Sequence, residues 1–123
     1  MILVDTSVWI EHLRLAGAIL SELLGDGEVL VHPFVLGELA LGNLRRRDAF
    51  LSDLRDLPRA AVATDEEVIS LIDRQTLFGR GIGYVDAHLL AAARLTAGTK
   101  LWTHDQRLQA VAAQLGLAAT LSH

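Results

Sequence analysis

The stretch Ile2-Leu3-Val4-Asp5-Thr6-Ser7-Val8-Trp9-Ile10 opens the chain and decides how the rest is read. Ile2 to Val4 is a short apolar run, too brief for a helix and suited to a buried strand. Asp5, Thr6 and Ser7 are residue types that cap helix N-termini, and Val8, Trp9, Ile10 and Leu13 follow with helical spacing. The opening unit is therefore a strand, a sharp turn and a helix.

The alternation continues outward from that unit. A helical stretch near Ala18 to Leu24 stops at Gly25-Asp26-Gly27, and Glu28 to Val31 reads as a strand halted by Pro33. Pro33 suits the first turn of a helix predicted over Pro33 to Asn43. A helix near Asp48 to Leu57 is closed by Pro58, and a brief apolar segment covers Ala60 to Ala63. Thr64 caps the next helix, with Glu67 completing a capping box, and that helix is expected to reach Phe78. The loop Gly79-Arg80-Gly81-Ile82-Gly83 then precedes a long helix from Tyr84 to about Thr96. Lys100 to Thr103 reads as a strand, His104 to Leu115 as a helix and Leu117 to Leu121 as a last short strand. Strands alternating with helices imply an α/β fold with a parallel sheet covered on both faces. No repeat or linker interrupts it, so residues 1–123 are expected to form a single domain.

Composition narrows the chemistry. The absence of cysteine excludes disulfide scaffolds and cysteine-ligated zinc or iron–sulfur sites. The N-terminus has no basic region and meets a carboxylate at position 5, so it does not read as a signal peptide. No apolar run is long enough to cross a membrane, and a cytoplasmic location is expected. A net charge of −4 is unusual for a chain that binds a polyanion. Ten of the eleven basic residues are arginine, however, and Arg45, Arg46 and Arg47 form a run. That run and Arg80 are candidates for phosphate contacts, which position nucleic acid without reading its sequence.

Four acids stand out by position. Asp5 and Asp105 follow predicted strands, and in an open parallel sheet the crevice beyond the carboxyl ends of the strands is where ligands bind. Asp86 heads an apolar stripe of Leu89, Leu90, Ala93 and Ala97, and Glu38 is expected within a stripe containing Phe34, Val35 and Leu41. Capping or a helix dipole would account for Asp5, Asp86 or Asp105 singly, but not for Glu38, which lies mid-helix. Four converging carboxylates would repel one another unless cations were present. An all-oxygen donor set suits Mg²⁺ or Mn²⁺ rather than zinc and points to phosphate chemistry. Thr6, Ser7 and Thr103 carry hydroxyls beside the acids, although Thr6 and Ser7 also serve as ordinary capping residues.

Other chemistries fit less well. His12, His32, His88, His104 and His123 show no catalytic spacing, and His88 points away from Asp86 on its helix. An aspartyl phosphatase would carry a second acid where Ser7 stands. A phospho-receiver-like signalling domain needs an acidic pair beside the first strand and a lysine after a late one. Here Asp5 is alone and Lys100 begins its strand. The glycine loop follows a helix, not a strand, which argues against dinucleotide binding.

Four segments together resemble PIN-domain ribonucleases, specifically the VapC toxins of toxin–antitoxin pairs. They are Ile2 to Ile10; Glu38 in its Pro33-led helix; Asp86-Ala87-His88-Leu89-Leu90-Ala91-Ala92-Ala93; and Leu101-Trp102-Thr103-His104-Asp105-Gln106-Arg107-Leu108. The resemblance spans the whole chain. It implies a PIN-like three-layer α/β/α domain and Mg²⁺- or Mn²⁺-dependent cleavage of RNA. Metal-binding and catalytic roles fall on Asp5, Glu38, Asp86 and Asp105, with Thr103 in support. It also implies a homodimer restrained by a VapB-like antitoxin. Many relatives carry another acid and an aromatic residue shortly after the fourth acid, where this chain has Gln106-Arg107-Leu108; the number of metal ions is left open by that difference. A catalytically inactive PIN-like interaction module is the remaining alternative.

Overall fold

The computed structural model describes residues 1–121, so His123 lies outside the described residues. Three parallel strands, β1 (Ile2–Val4), β2 (Val29–Leu30) and β3 (Lys100–Trp102), form a sheet in the order β2-β1-β3. Leu3 pairs with Leu30 on one side and Leu101 on the other, and Val4 pairs with Trp102. Leu3, Val4 and Leu101 are wholly buried, as expected for a parallel sheet covered on both faces.

The helices are α1 (Thr6–Leu15), α2 (Ala18–Gly25), α3 (Pro33–Ala40), α4 (Arg47–Arg55), α5 (Asp65–Arg74), α6 (Tyr84–Leu95) and α7 (Gln106–Gln114). The chain leaves β1 toward β2 and later crosses back over β1 to β3. Right-handed crossovers in these opposite directions place the connecting helices on opposite faces of the sheet. In open parallel sheets the carboxyl edge beside such a strand-order switch is where ligands bind, and here it lies beside β1.

The central helix is α6, where Ala87 to Ala93 are all buried. Its small side chains let it pack against both β3 and α5. The expected apolar stripe is thus part of a helix enclosed on every side, and Ala97, expected to extend that stripe, is exposed beyond the helix end.

Several expected boundaries move inward. Helix α3 stops at Ala40 rather than Asn43, where Arg47 donates from Nε and Nη2 to the Ala40 carbonyl at 3.2 and 2.9 Å. One residue of the arginine run is therefore a helix-terminating group. Helix α5 stops at Arg74 rather than near Phe78, because Thr76 adopts a left-handed φ of 54°. The Leu77 and Thr76 amides then bond back to Ile72 and Asp73. The segments expected at Ala60–Ala63 and Leu117–Leu121 reach the sheet only as single parallel bridges, Val31 with Arg59 and Leu101 with Ala118.

The capping box at Thr64 and Glu67 forms as expected, with both reciprocal hydrogen bonds present. Helix α3 has an unexpected cap, fully buried His32, whose Nδ1 accepts the Phe34 amide at 3.0 Å. An accepting Nδ1 requires the neutral ring, and burial together with nearby His88 lowers the His32 pKa to about 4.

Candidate active site

Strand register builds the site. Because Val4 pairs with Trp102, the next residues, Asp5 and Thr103, emerge side by side at the carboxyl edge. The Asp5 amide donates to the Trp102 carbonyl at 2.9 Å, prolonging the ladder into the turn. Asp5 and Thr103 are both buried.

Asp5 occupies the N-cap position of α1, yet its side chain accepts no capping hydrogen bond. Its Oδ2 instead accepts hydroxyl donors from Ser7 and Thr103, each at 2.7 Å. Those hydroxyls accept amides in turn: Ser7 from His104 at 3.0 Å and Thr103 from Asp105 at 3.0 Å. Each chain of amide, hydroxyl and carboxylate is polarised toward Asp5 and fixes its orientation. The capping explanation therefore fails for Asp5, and Ser7 joins the site as a holding residue. Its place two residues after Asp5 was the sequence signal, but that signal is shared with ordinary helix caps.

The other acids arrive from three helices. Asp105 caps α7 through Oδ1, which accepts the Leu108 amide at 2.9 Å, so the capping reading holds for one of its oxygens. Asp86, in the first turn of α6, reaches back from Oδ2 to accept the Gly83 amide at 2.9 Å. Glu38 accepts the Thr6 hydroxyl at Oε1, 2.7 Å away. It was expected on a buried face, and here the structure corrects the reading: Glu38 is exposed, while the buried face of α3 carries Val35 and Leu39.

Asp86 reveals the convergence. Its pKa is raised above the ordinary carboxylate value, first by burial and then by the charges of Asp5, Asp105 and Glu38, against the lowering effect of the Gly83 amide. Three acids remote in sequence thus bear on Asp86 near the carboxyl edge of the sheet. Among the described residues, no group of three or more acids or histidines stands close enough together to hold a metal ion by itself. Mg²⁺ needs no such group, since it retains waters and binds through one or two carboxylates together with phosphate oxygens. The donors present are carboxylate and hydroxyl oxygens, which fit such an ion.

The histidines lie elsewhere. His88 is buried among Phe34, Tyr84 and His32, with Nε2 3.3 Å from Asp65, and His104 pairs with Glu11. Arg80, expected to contact phosphate, donates from Nη1 to Gln114 at 2.7 Å.

Residues 2–114 match the family described as PIN domain. The chain belongs to the PIN-domain family. This PIN domain is 54% identical over 118 residues to Ribonuclease VapC32 of Mycobacterium tuberculosis (strain CDC 1551 / Oshkosh), a match covering 96% of this chain and 95% of that protein. The same figures relate it to Ribonuclease VapC32 of strain ATCC 25618 / H37Rv. In this PIN domain the residues carrying the sequence resemblance lie in β1 and β3, in the turns that follow them and in helices α1, α3, α6 and α7. No helix among the described residues is long and apolar enough to cross a membrane.

Proposed function

We propose that this PIN domain, one unit over residues 1–123, is a VapC-type endoribonuclease, the toxin of a VapBC-type toxin–antitoxin pair. It hydrolyses RNA phosphodiester bonds at Asp5, Glu38, Asp86 and Asp105, which would hold Mg²⁺ or Mn²⁺. The carrying observation is the placement of Asp5 at the carboxyl edge of the sheet, held by the Ser7 and Thr103 hydroxyls, with the Asp86 pKa pushed up by burial and by the charges of Asp5, Asp105 and Glu38. Similarity to a protein named Ribonuclease VapC32 supports RNA as the substrate. The same resemblance supports a cytoplasmic homodimer and a VapB-like antitoxin as its partner.

Each residue contributes through its bonds. Ser7 and Thr103 engage Oδ2 of Asp5 and leave Oδ1 without a hydrogen-bonded partner among the described residues, ready for an ion. Asp105 has one oxygen fixed by α7, and Glu38 is steadied by Thr6. The ion, when bound, supplies Lewis acidity that lowers the pKa of water and offsets charge developing on the phosphodiester. Asp86, destabilised as an anion by burial and then by the neighbouring acids, is an acid whose ionised form a nearby cation would favour.

Incubating the purified chain with structured RNA in Mg²⁺ or Mn²⁺, and then in excess EDTA, tests this reading. The expected products carry 5′-phosphate and 3′-hydroxyl ends, and cleavage disappears in EDTA and in Asp5→Asn. EDTA-resistant cleavage leaving a 2′,3′-cyclic phosphate would overturn the metal mechanism.

A further inference from the structure

The loop from Gly79 to Gly83 lies along α7 and is fastened at several points. Arg80 reaches from the loop to Gln114 near the end of α7. At the other end, Arg107 in the first turn of α7 extends back over Gly81. A β-carbon at residue 81 would lie only 2.9 Å from both Cδ and Nη1 of Arg107. Gly81 also has a φ of +82°, so glycine both permits the turn and makes room for the arginine. Two residues further on, the Gly83 amide is bound to Asp86.

Arg107 is thereby placed against the loop that holds Asp86, in the first turn of the helix that Asp105 caps. It is exposed, and among the described residues it forms no ion pair. An unpaired guanidinium against the loop that holds Asp86 suits a phosphate next to the scissile one. Of the arginines considered for phosphate, Arg80 and Arg47 already donate to protein oxygens, while Arg45 and Arg46 stand at the start of α4 with no contact to the loop that holds Asp86 among the hydrogen bonds of the described residues.

We propose that Arg107, held over Gly81 against the loop that holds Asp86, binds a backbone phosphate of the RNA adjacent to the cleavage point. The proposal rests on the ribonuclease reading and extends it to how the substrate is seated. A planar guanidinium with several donors is suited to a phosphate, and the contact would be independent of base sequence.

The test measures binding of a short mixed-sequence single-stranded RNA across a salt series in Mg²⁺. The chain carries Asp86→Asn to silence cleavage. For single strands each neutralised phosphate contributes about 0.7 to the slope of log affinity against log salt. Arg107→Gln is expected to lower the slope by about 0.7 and to weaken binding on every sequence, while Arg107→Lys restores the slope. Arg94→Gln, in the last turn of α6 and remote from Asp86, should leave it unchanged. An unchanged slope in Arg107→Gln, or an equal fall in Arg94→Gln, overturns the proposal while RNA binding itself stands. Failure of the Arg107-intact chain to bind RNA overturns it together with the ribonuclease reading.

Discussion

Asp5 and Asp86 share one edge of the sheet but are held in opposite ways. Asp5 is clasped by two hydroxyls, whereas Asp86 has one amide and an otherwise repulsive field. Because folded Asp86 holds its proton more tightly than the unfolded chain does, ionising it weakens the fold as pH rises through the carboxylate range. Asp86→Asn keeps an oxygen for the Gly83 amide and removes the charge. Without metal, this variant should therefore melt above the wild type near neutral pH, and the gap should close as pH falls below the carboxylate range. A variant melting lower at neutral pH would show that burial and repulsion of the charge do not govern Asp86. Thr103 makes the opposite case, because its hydroxyl joins the Asp105 amide to Asp5. Thr103→Val should cost about 1 to 3 kcal/mol of stability by leaving buried polar groups unpaired. Losing a group that orients a ligand should also reduce cleavage by about 10- to 100-fold. Thermal melts and single-turnover cleavage would measure the two effects, and undiminished cleavage would remove Thr103 from the site.

At the scale of elements, what periodicity controls was legible and what a single backbone dihedral controls was not. The opening strand and helix, the capped start of α5 and the enclosed α6 follow from apolar spacing and cap residues. The end of α5 does not, since Thr76 takes a left-handed φ of 54° that a β-branched residue rarely adopts. The helix closes there because the Leu77 amide bonds to Ile72 and buries the Leu77 side chain, a gain visible only after packing. Thr76→Gly should relieve the strain and stabilise the fold by about 1 kcal/mol, readable in chemical denaturation. No gain would mean the threonine side chain repays its own strain. Glu38 was misjudged for a related reason. Its helix ends at Ala40, so Leu41 belongs to no buried stripe and is 91% exposed. The positions of Asp5, Asp86 and Asp105 at a strand end or helix start were nevertheless legible, because cap residues and apolar runs mark those boundaries. The holding role of Ser7 and the placement of Arg107 depend on side chains meeting across elements, which spacing along one element does not reveal.

The whole molecule sets an electrostatic problem that its own site helps to solve. A chain with net charge −4 must admit a polyanion at the place where four of its acids gather. Cations at that edge would reduce the repulsion between the acids and the repulsion of the substrate together. A cation that binds the folded chain and not the unfolded one stabilises by mass action, by about 2.7 kcal/mol at a concentration one hundred times its dissociation constant. Titrating Mg²⁺ or Mn²⁺ into the metal-free chain should therefore raise its melting temperature progressively and saturably. In Asp5→Asn the rise should shrink, because the Asp5 charge is lost while α1 and β1 keep their packing. A salt of the same ionic strength without a divalent ion provides the control, since general screening would also relax the acids but would not distinguish wild type from Asp5→Asn by a saturable shift. If the two proteins respond identically to the divalent ion, the acids at this edge are not its ligands, and their convergence would need another partner, such as a basic side chain of the antitoxin.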